Sequence, residues 1–351
     1  MISSTILPKK EFILDVLAFQ QFLFASEQEF NSRDLDLVSD GAKSDFLDKR
    51  KSQFFQQLDN YFVALWEHFR YFDKEDFSLH KRFCEEHLLS LLYKDVEINE
   101  YIRNQPLGYA GDFRMMNYIY DYYRDQKYLG STLYTKLIND YTCKTEVACS
   151  NIARKDFLKR KILEVASSGP GSRILSVGSG SAREVLELIE EGRFENDIEI
   201  NLIDLEENAI NYVRNQLERI SFDRDKIKVK FYLYDLKEII RNKRIMTDFN
   251  GINLIYISGV FDYFSDRLIE NILPSLIKIM KDEIIIFNIS SEKAKYRAYY
   301  EVLGDWVMYH RTKEDMIKWG DSFRNSLDLK IVDFDACKSY WILSLQRKCE
   351  Y

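Results

Sequence analysis

The spacing of apolar residues changes once along this chain of 351 residues, and the change divides it into two parts. Before the stretch "SSGPGS", residues 167–172, apolar residues recur at the spacings of three and four that are typical of helices. The clearest helical stretches are 11–30, 44–72 and 80–92, and the pattern resumes at residue 134. After "SSGPGS", short β-branched runs alternate with amphipathic helices, which indicates βαβ units and a parallel sheet. We therefore predict an all-helical N-terminal domain, residues 1–150, followed by an α/β domain, residues 151–351.

Seven strands are expected in the second domain. Five alternate with helices, and two more lie near the C-terminus, where a short turn joins them into an antiparallel hairpin. The predicted strands are 173–177, 199–204, 227–233, 252–257, 283–288, 329–334 and 339–346. Five parallel strands closed by an antiparallel hairpin form the outline of a Rossmann-like sheet of the class I S-adenosylmethionine (SAM) methyltransferase type.

The first predicted strand ends in a loop of Gly178, Ser179 and Gly180 that leads directly into a helix. Backbone N–H groups and the positive end of the helix meet there, so the turn can receive a polar ligand. A dinucleotide-binding turn would have a third glycine three residues after Gly180, but Arg183 occupies that position. A phosphate loop would need a Gly-Lys-Ser/Thr sequence, which does not follow. The looser GxG pattern of SAM enzymes fits, so we predict SAM as the cofactor.

Acidic residues follow the next two predicted strands and support a nucleoside ligand. Asp204 can accept hydrogen bonds from both ribose hydroxyls, and Asp235 can bind the adenine amino group. Leu205 and Leu236, next to these acids, are further candidate cofactor contacts, and so is Ser258, directly after the fourth predicted strand. The alternative for each acid, taken singly, is an ordinary cap at a strand end.

Four segments resemble a bacterial family of class I methyltransferases, typified by the enzyme that makes 3-hydroxypalmitic acid methyl ester. The segments are "PLGYAGDFRMMNYIY", "SGSARE", "SGVFDYFSDR" and "DWVMYHRTKED", and the resemblance extends from about residue 105 to the C-terminus. It implies a SAM-dependent methyltransferase. Two positions depart from most methyltransferases, because Ser176 stands where an acid is usual and Ala182 where a third loop glycine is usual. We expect Glu184, Asp262 or the "GYAGD" turn to bind the methionyl amino group instead.

Candidate catalytic residues follow the fourth strand and the later "YHRTKEDM" segment. Asp262 is a candidate cofactor contact or base, and Tyr263 a candidate pocket wall or hydrogen-bonding group. His310 can act as a base toward a hydroxyl or amine, and Arg311 can clamp a substrate carboxylate. A packed aromatic residue explains Tyr263 as well, and a solvated surface loop explains His310 and Arg311.

The segment 104–123 contains the "GYAGD" turn between two predicted helices. Two glycines, a tyrosine and an acid favour a lid that approaches the cofactor, with Tyr109 and Asp112 as its contacts. The alternative is a helix–helix turn in which Asp112 caps the next helix. Both roles are compatible with each other.

Charge and composition limit the partners. A formal net charge of -7 speaks against a nucleic acid backbone as the main partner. Five cysteines without a CxxC pair and four histidines without ligand spacing predict no metal and a reducing, cytoplasmic location. We expect no signal peptide and no membrane span. The aromatic N-terminal helices fit a bundle core, an apolar substrate channel or a homodimer face.

The favoured function is O-methylation of a carboxyl or hydroxyl group on a small molecule, including a fatty-acid-like carboxylate. The alternatives are N-methylation of an amine or amino-acid-like metabolite, aminopropyl transfer from decarboxylated SAM, and a non-catalytic SAM-binding regulatory module. A carboxylate nucleophile needs no general base at neutral pH, whereas a hydroxyl or amine usually does.

Overall fold

The computed structural model describes residues 7–32, 40–125, 129–236, 238, 249–291, 297–332 and 339–348, with side chains from residue 49 in the second helix. The chain forms two compact units. A helical unit comprises Met1–Ala148 and Lys295–Val307, and an α/β unit comprises Cys149–Ala294 and Met308–Tyr351. The sequence placed residues 295–307 in the second domain, whereas the structure groups them with the helices.

The helical unit owes its core to faces with helical spacing. Its helices are α1 (Lys10–Asn31), α2 (Asp40–Phe69), α3 (Lys74–Leu92), α4 (Glu97–Asn104), α5 (Phe113–Asp125), α6 (Leu133–Lys144) and the start of α7 (Glu146–Ser167). On α1, Phe12, Val16, Phe19 and Leu23 recur every three or four residues and are fully buried. Asp73 begins α3 by accepting hydrogen bonds from two backbone N–H groups of its first turn.

Lys295–Val307 joins the helical unit through a buried polar network. Its π-helix, Ala298–Leu303, carries Tyr299. The Tyr299 hydroxyl lies 2.6 Å from Asn99 Nδ2 and 2.6 Å from Thr142 Oγ1. These partners belong to α4 and α6, so the network fixes the segment among helices that precede it by more than 150 residues.

The α/β unit is built on one mixed sheet. Its strands are β1 (Ser172–Val177), β2 (Ile198–Asp204), β3 (Ile227–Leu233), β4 (Ile252–Ser258), β5 (Met280–Ile289), β6 (Leu327–Val332) and β7 (Tyr340–Arg347). Their order is β3-β2-β1-β4-β5-β7-β6. The pairs among β1 to β5 are parallel, whereas β7 is antiparallel to both of its neighbours. The predicted Rossmann-like sheet of the class I methyltransferase type is therefore confirmed.

The C-terminal hairpin lies partly outside the described residues. The predicted strand 329–334 corresponds to β6, which ends at Val332, and the predicted turn belongs to residues 333–338, which are not described. The strand β5 begins three residues earlier than predicted. Its pairing with β4 shifts between Met280 and Glu283, so Lys281 and Asp282 interrupt the apolar pattern without ending the strand.

Within the residues that the structure describes, four further helices connect the strands. They are α8 (Arg183–Glu190), α9 (Glu207–Arg219), α10 (Asp266–Ile279) and α11 (Lys313–Gly320). The parallel strands β1, β2, β4 and β5 end at the same side of the sheet, which we call the carboxyl edge. Ligands of open α/β sheets bind at this edge. Within the described ranges, no helix combines the length and apolar character needed to span a membrane.

Candidate functional site

The loop after β1 is packed tightly against both neighbouring strand ends. The N–H groups of Gly178 and Ser179 both donate to the Ile203 carbonyl, at 2.8 and 2.9 Å. Gly178 has φ 68°, and a Cβ there would lie 2.0 Å from Val260 Cγ2, in the turn after β4. Only glycine fits this position, because any side chain would collide with Val260.

The same loop then turns into α8 in left-handed conformations. Gly180 has φ 52°, and Ala182, which precedes the helix, has φ 42°. The Ser179 hydroxyl oxygen is buried and has no hydrogen-bond partner among the described residues. A buried hydroxyl in that situation costs free energy, so Ser179 is a candidate ligand contact.

Asp204 fixes the end of β2 to this loop. Its Oδ2 accepts a hydrogen bond from the Gly180 N–H at 2.7 Å, and its Oδ1 accepts one from the Glu206 N–H at 2.8 Å. Burial raises the pKa of Asp204, and the same backbone N–H groups oppose that rise. An ionised carboxylate has about four acceptor positions. Acceptor capacity therefore remains for a hydroxyl donor.

The other predicted cofactor contacts on this side lie at the ends of β2 and β3. Leu205, directly after Asp204, is 68% exposed. Asp235 is half-buried, and Leu236 beside it is buried. The Tyr234 N–H donates to the Asp204 carbonyl at 3.0 Å, which joins the two strand ends.

Glu184 brings a buried carboxylate to the carboxyl edge. It lies in the first turn of α8, and its Oε1 accepts a hydrogen bond from the Tyr256 hydroxyl at 2.7 Å. Tyr256 on β4 pairs in register with Ser176 on β1. Burial raises the pKa of Glu184, whereas the Tyr256 hydrogen bond and the charge of Arg154 lower it. Glu184 thus supplies a carboxylate in the region where Ser176 does not.

The turn after β4 is fixed through Asp262. Ser258 ends β4, and the 3-10 turn Val260–Tyr263 follows. Asp262 is 2% exposed, its Oδ1 accepts from the Ile289 N–H at 2.8 Å, and its carbonyl accepts from the Tyr309 N–H at 2.7 Å. Burial raises the pKa of Asp262 to about 7, against the opposing effects of that hydrogen bond and of two arginines. Tyr263 is half-buried at the end of the turn.

Arg311 holds the same turn from the other side. Its Nε donates to Asp266 at 2.8 Å, its Nη1 donates to the Phe261 carbonyl at 2.9 Å, and its Nη2 donates to the Phe264 carbonyl. Asn288 accepts a further bond from Nη1 at 2.8 Å. All of these contacts are made to other residues of the protein. That Arg311 clamps a substrate carboxylate remains a prediction. For His310, Nδ1 lies 3.3 Å from the Ser290 carbonyl oxygen.

Tyr109 and Asp112 belong to the helical unit. The Asp112 Oδ1 accepts from the N–H groups of Arg114 and Met115, at 2.8 and 3.0 Å, and its Oδ2 accepts from the Tyr101 hydroxyl. Asp112 therefore caps α5, as one of the two sequence interpretations expected. Tyr109 is 36% exposed. The cofactor role expected of both residues remains a prediction.

Sequence reasoning missed Arg154 and Asn151 on α7. Both are buried, at 6% and 1% exposure. The Arg154 guanidinium carbon lies 5.0 Å from the centre of the Tyr340 ring and 5.9 Å from that of Phe287. The available signal was the spacing of Asn151, Arg154 and Leu158, which places two polar side chains on one face with an apolar one.

Comparisons with known proteins concern the fold. No family model and no curated protein matches the chain. A possible exported protein from Bordetella parapertussis has a TM-score of 0.53 at 12% identity, over 73% of this chain and 88% of that one. A magnesium protoporphyrin IX methyltransferase from Synechocystis, solved with bound S-adenosylhomocysteine (SAH), has a TM-score of 0.44 at 12% identity, over 72% of this chain and 100% of that one. The Bordetella likeness concerns the fold alone, and the sheet order assigns the α/β unit to the Rossmann-like fold of class I methyltransferases.

Proposed function

We propose that this chain is a SAM-dependent methyltransferase that acts on a small molecule, with a carboxyl or hydroxyl group as the favoured acceptor. The observation that carries the proposal is the hydrogen bond between Asp204 and the Gly180 N–H, at the carboxyl edge of a sheet with this strand order. A nucleoside bound at such an edge meets a carboxylate for its ribose and a loop of N–H groups for its polar tail.

The residues at the carboxyl edge fit SAM along its length. The remaining acceptor capacity of Asp204 suits the ribose hydroxyls, and the exposed Leu205 beside it suits the adenine ring. The buried Ser179 hydroxyl is available to the ligand. Glu184 offers a carboxylate to the methionyl ammonium group. The chain thus has matching groups for the ribose hydroxyls, the face of the adenine ring and the methionyl ammonium group.

SAM supplies an electrophilic methyl group on a sulfonium. The chain's own contribution is alignment, because an in-line displacement gains most from holding the reacting groups in a fixed line. The turn Val260–Tyr263, fixed by Asp262 and Arg311, forms the rigid part of the edge nearest β4 and β5.

Asp262 is the candidate base of this site. A carboxyl with a pKa of about 7 is suited to accept a proton from a hydroxyl or an ammonium group near neutral pH. This favours hydroxyl O-methylation and, as a second candidate, N-methylation of an amine. A carboxylate acceptor needs no such base, so its methylation would be insensitive to Asp262 as a proton acceptor.

The proposal is tested by incubating the purified chain with SAM and a panel of small carboxylic acids, alcohols and amines. The measured product is S-adenosylhomocysteine (SAH). Release that depends on an acid or alcohol supports the proposal, and release that depends only on amines supports the second candidate. SAM binding without release on any acceptor would instead support a non-catalytic SAM-binding module.

A further inference from the structure

One side of α1 is exposed and apolar. Leu14, Leu17 and Phe24 are 58%, 40% and 48% exposed, although the opposite side of the same helix is buried in the core. The exposed positions of residues 14–25 carry no charge, in a chain whose residues are 30% charged. Contiguous exposed apolar surface of this kind marks an interaction site. We call this surface the outer face; its residues are Leu14, Leu17, Ala18, Gln21, Phe24 and Ala25.

The outer face has the spacing of a coiled-coil seam. Leu14 and Gln21 are seven residues apart, and so are Leu17 and Phe24. The two rows alternate at intervals of three and four residues, which is the pattern of the a and d positions of a heptad. The two alanines beside the seam are small, so a second helix can approach closely. Such a seam is complementary to another helix, because its side chains insert between those of the facing helix.

The two ends of α1 carry opposite charges without a partner. Lys10 is the first residue of the helix, and Glu27 lies in its last turns. Neither makes an ion pair with another residue that the structure describes. Lys9, by contrast, pairs with Asp76 at 3.1 Å. An unpaired cation at one end and an unpaired anion at the other are therefore available to a second molecule.

We propose that the outer face binds a second copy of this chain, with the two α1 helices antiparallel; the inference does not depend on the proposed function. The arrangement that opposes Leu14 of each copy to Phe24 of the other joins the two most exposed side chains of the face. It also places Leu17 opposite Gln21, so the centre of the contact contains only apolar and uncharged side chains. Two-fold symmetry makes each of these contacts occur twice.

The charges favour the antiparallel orientation. Lys10 lies seven residues before Leu17 and therefore continues the same row of the seam. In the antiparallel pair, Lys10 of one copy is level with Gln28 of the other and adjacent to Glu27 of that copy. Glu11 lies on the other side of the seam, beside the alanines. A parallel pair would instead place each Lys10 against the Lys10 of the other copy, and like charges repel.

A membrane surface is a poorer partner for this face. Helices that lie on membranes carry lysine and arginine beside their apolar side, where these residues are attracted to anionic lipids. The outer face is flanked by Glu11, Asp15 and Glu27, and the chain has a formal net charge of -7. These acids would be repelled by the same lipids.

Sedimentation equilibrium of the full chain, from about 1 to 100 µM, tests the dimer. One pair of 22-residue helices buries less area than an obligate interface, so we expect a dissociation constant in the micromolar range. Leu17→Glu puts two like charges into the apolar centre and should weaken dimerisation roughly 100-fold or more.

The matched control for Leu17→Glu is Val63→Glu. Val63 is also 40% exposed, but it lies on α2, two residues after Tyr61, whose ring stacks on Phe19 of α1. Two residues correspond to about 200° around a helix, so Val63 lies on the side of α2 away from α1. Its replacement should leave the dissociation constant unchanged.

Charge reversal tests the orientation. Lys10→Glu and Glu27→Lys should each weaken the dimer roughly 2- to 30-fold, because two exposed ion pairs are lost. The double variant should restore the wild-type affinity, since the reversed charges meet again. This readout remains if Leu17→Glu does not fold.

Three results would overturn the inference. The first is a folded wild type that stays monomeric up to about 100 µM, and binding of that monomer to phosphatidylcholine vesicles would assign the outer face to a membrane. The second is a dimer that Leu17→Glu and Val63→Glu affect equally, because its interface would lie elsewhere. The third is a double charge variant that is no tighter than the single variants, because Lys10 and Glu27 would then not meet.

Discussion

The Asp204 carboxylate accepts a hydrogen bond from the Gly180 backbone N–H at 2.7 Å, so the end of β2 and the loop after β1 form one rigid corner. Because the Glu206 N–H binds the other carboxylate oxygen, the side chain cannot rotate freely. The corner presents its remaining acceptor positions in a fixed direction, which is what recognition of a ribose requires.

Replacement of Asp204 tests this corner. We expect Asp204→Ala to weaken SAH binding roughly 10- to 150-fold, because hydrogen bonds to a charged group are lost. Asp223→Ala is the matched control, since Asp223 also accepts from two backbone N–H groups but lies before β3, at the opposite edge. Calorimetry on both variants makes the comparison, and equal losses in the two would refute a specific role for Asp204.

The close approach at Gly178 predicts a large cost for Gly178→Ala. Its Cβ would lie 2.0 Å from Val260 Cγ2, in addition to the strain of a positive φ. Gly192 has a similar φ of 63° and open space around it, so Gly192→Ala should cost only the strain, about 1–2 kcal/mol. Chemical denaturation should show a clearly larger loss for Gly178→Ala. Val260→Ala should restore part of it, and absence of any restoration would contradict the steric explanation.

The raised pKa of Asp262 predicts that the free energy of unfolding falls as the pH rises. Its folded pKa of about 7 lies above the ordinary 3.8, so the native state holds the proton more tightly than the unfolded chain does. That stabilisation is complete below about pH 4 and is lost as the pH rises to about 7. Relative to Asp262→Asn, the wild type should lose about 1.4 kcal/mol of unfolding free energy per pH unit in this interval. Urea denaturation at several pH values measures the slope.

Asp315 provides a control, because its effect on the pH dependence of stability has the opposite sign to that of Asp262. The Thr312 N–H lowers the pKa of Asp315, so its contribution is lost as the pH falls rather than as it rises. The difference between the wild type and Asp315→Asn should therefore shrink toward acid. A difference between the wild type and Asp262→Asn that does not change with pH would refute the shifted pKa of Asp262.

The hydrogen bonds of Arg311 predict that its replacement by alanine lowers the free energy of unfolding, and that lysine restores little of this loss. Arg311→Ala leaves the carbonyls of Phe261 and Phe264 without this donor, at a cost on the order of 3 kcal/mol. Arg311→Lys should recover little, because one ammonium group cannot reach all the acceptors. The exposed Arg324, paired with Asp321, is the control and should change stability by about 0.5 kcal/mol or less. An Arg311→Ala variant of wild-type stability but weak acceptor binding would favour the substrate clamp.

Local patterns were sufficient to predict the sheet and the tight glycine turn after β1. Alternating apolar runs place the strands because each central strand is buried on both faces, and glycines mark the turn at Gly178 for the steric reason that the structure shows. The start of β5 was missed because Lys281 and Asp282 lie within a bulge.

The remaining features depend on contacts between residues distant in sequence. No local signal shows that the donors of Arg311 meet the carbonyls of the turn after β4, 47 to 50 residues earlier. Nor does periodicity show which face of α7 carries Arg154 toward β5 and β7. The same holds for Lys295–Val307, whose place among the helices is fixed by the partners of Tyr299.

Calorimetric titration of the full chain with SAH tests the central claim most directly, because it asks whether the carboxyl edge binds this nucleoside at all. The account predicts saturable binding of one SAH per chain, weakened by Asp204→Ala and unchanged by Asp223→Ala. A folded wild-type chain that shows no binding of SAH or SAM would contradict it.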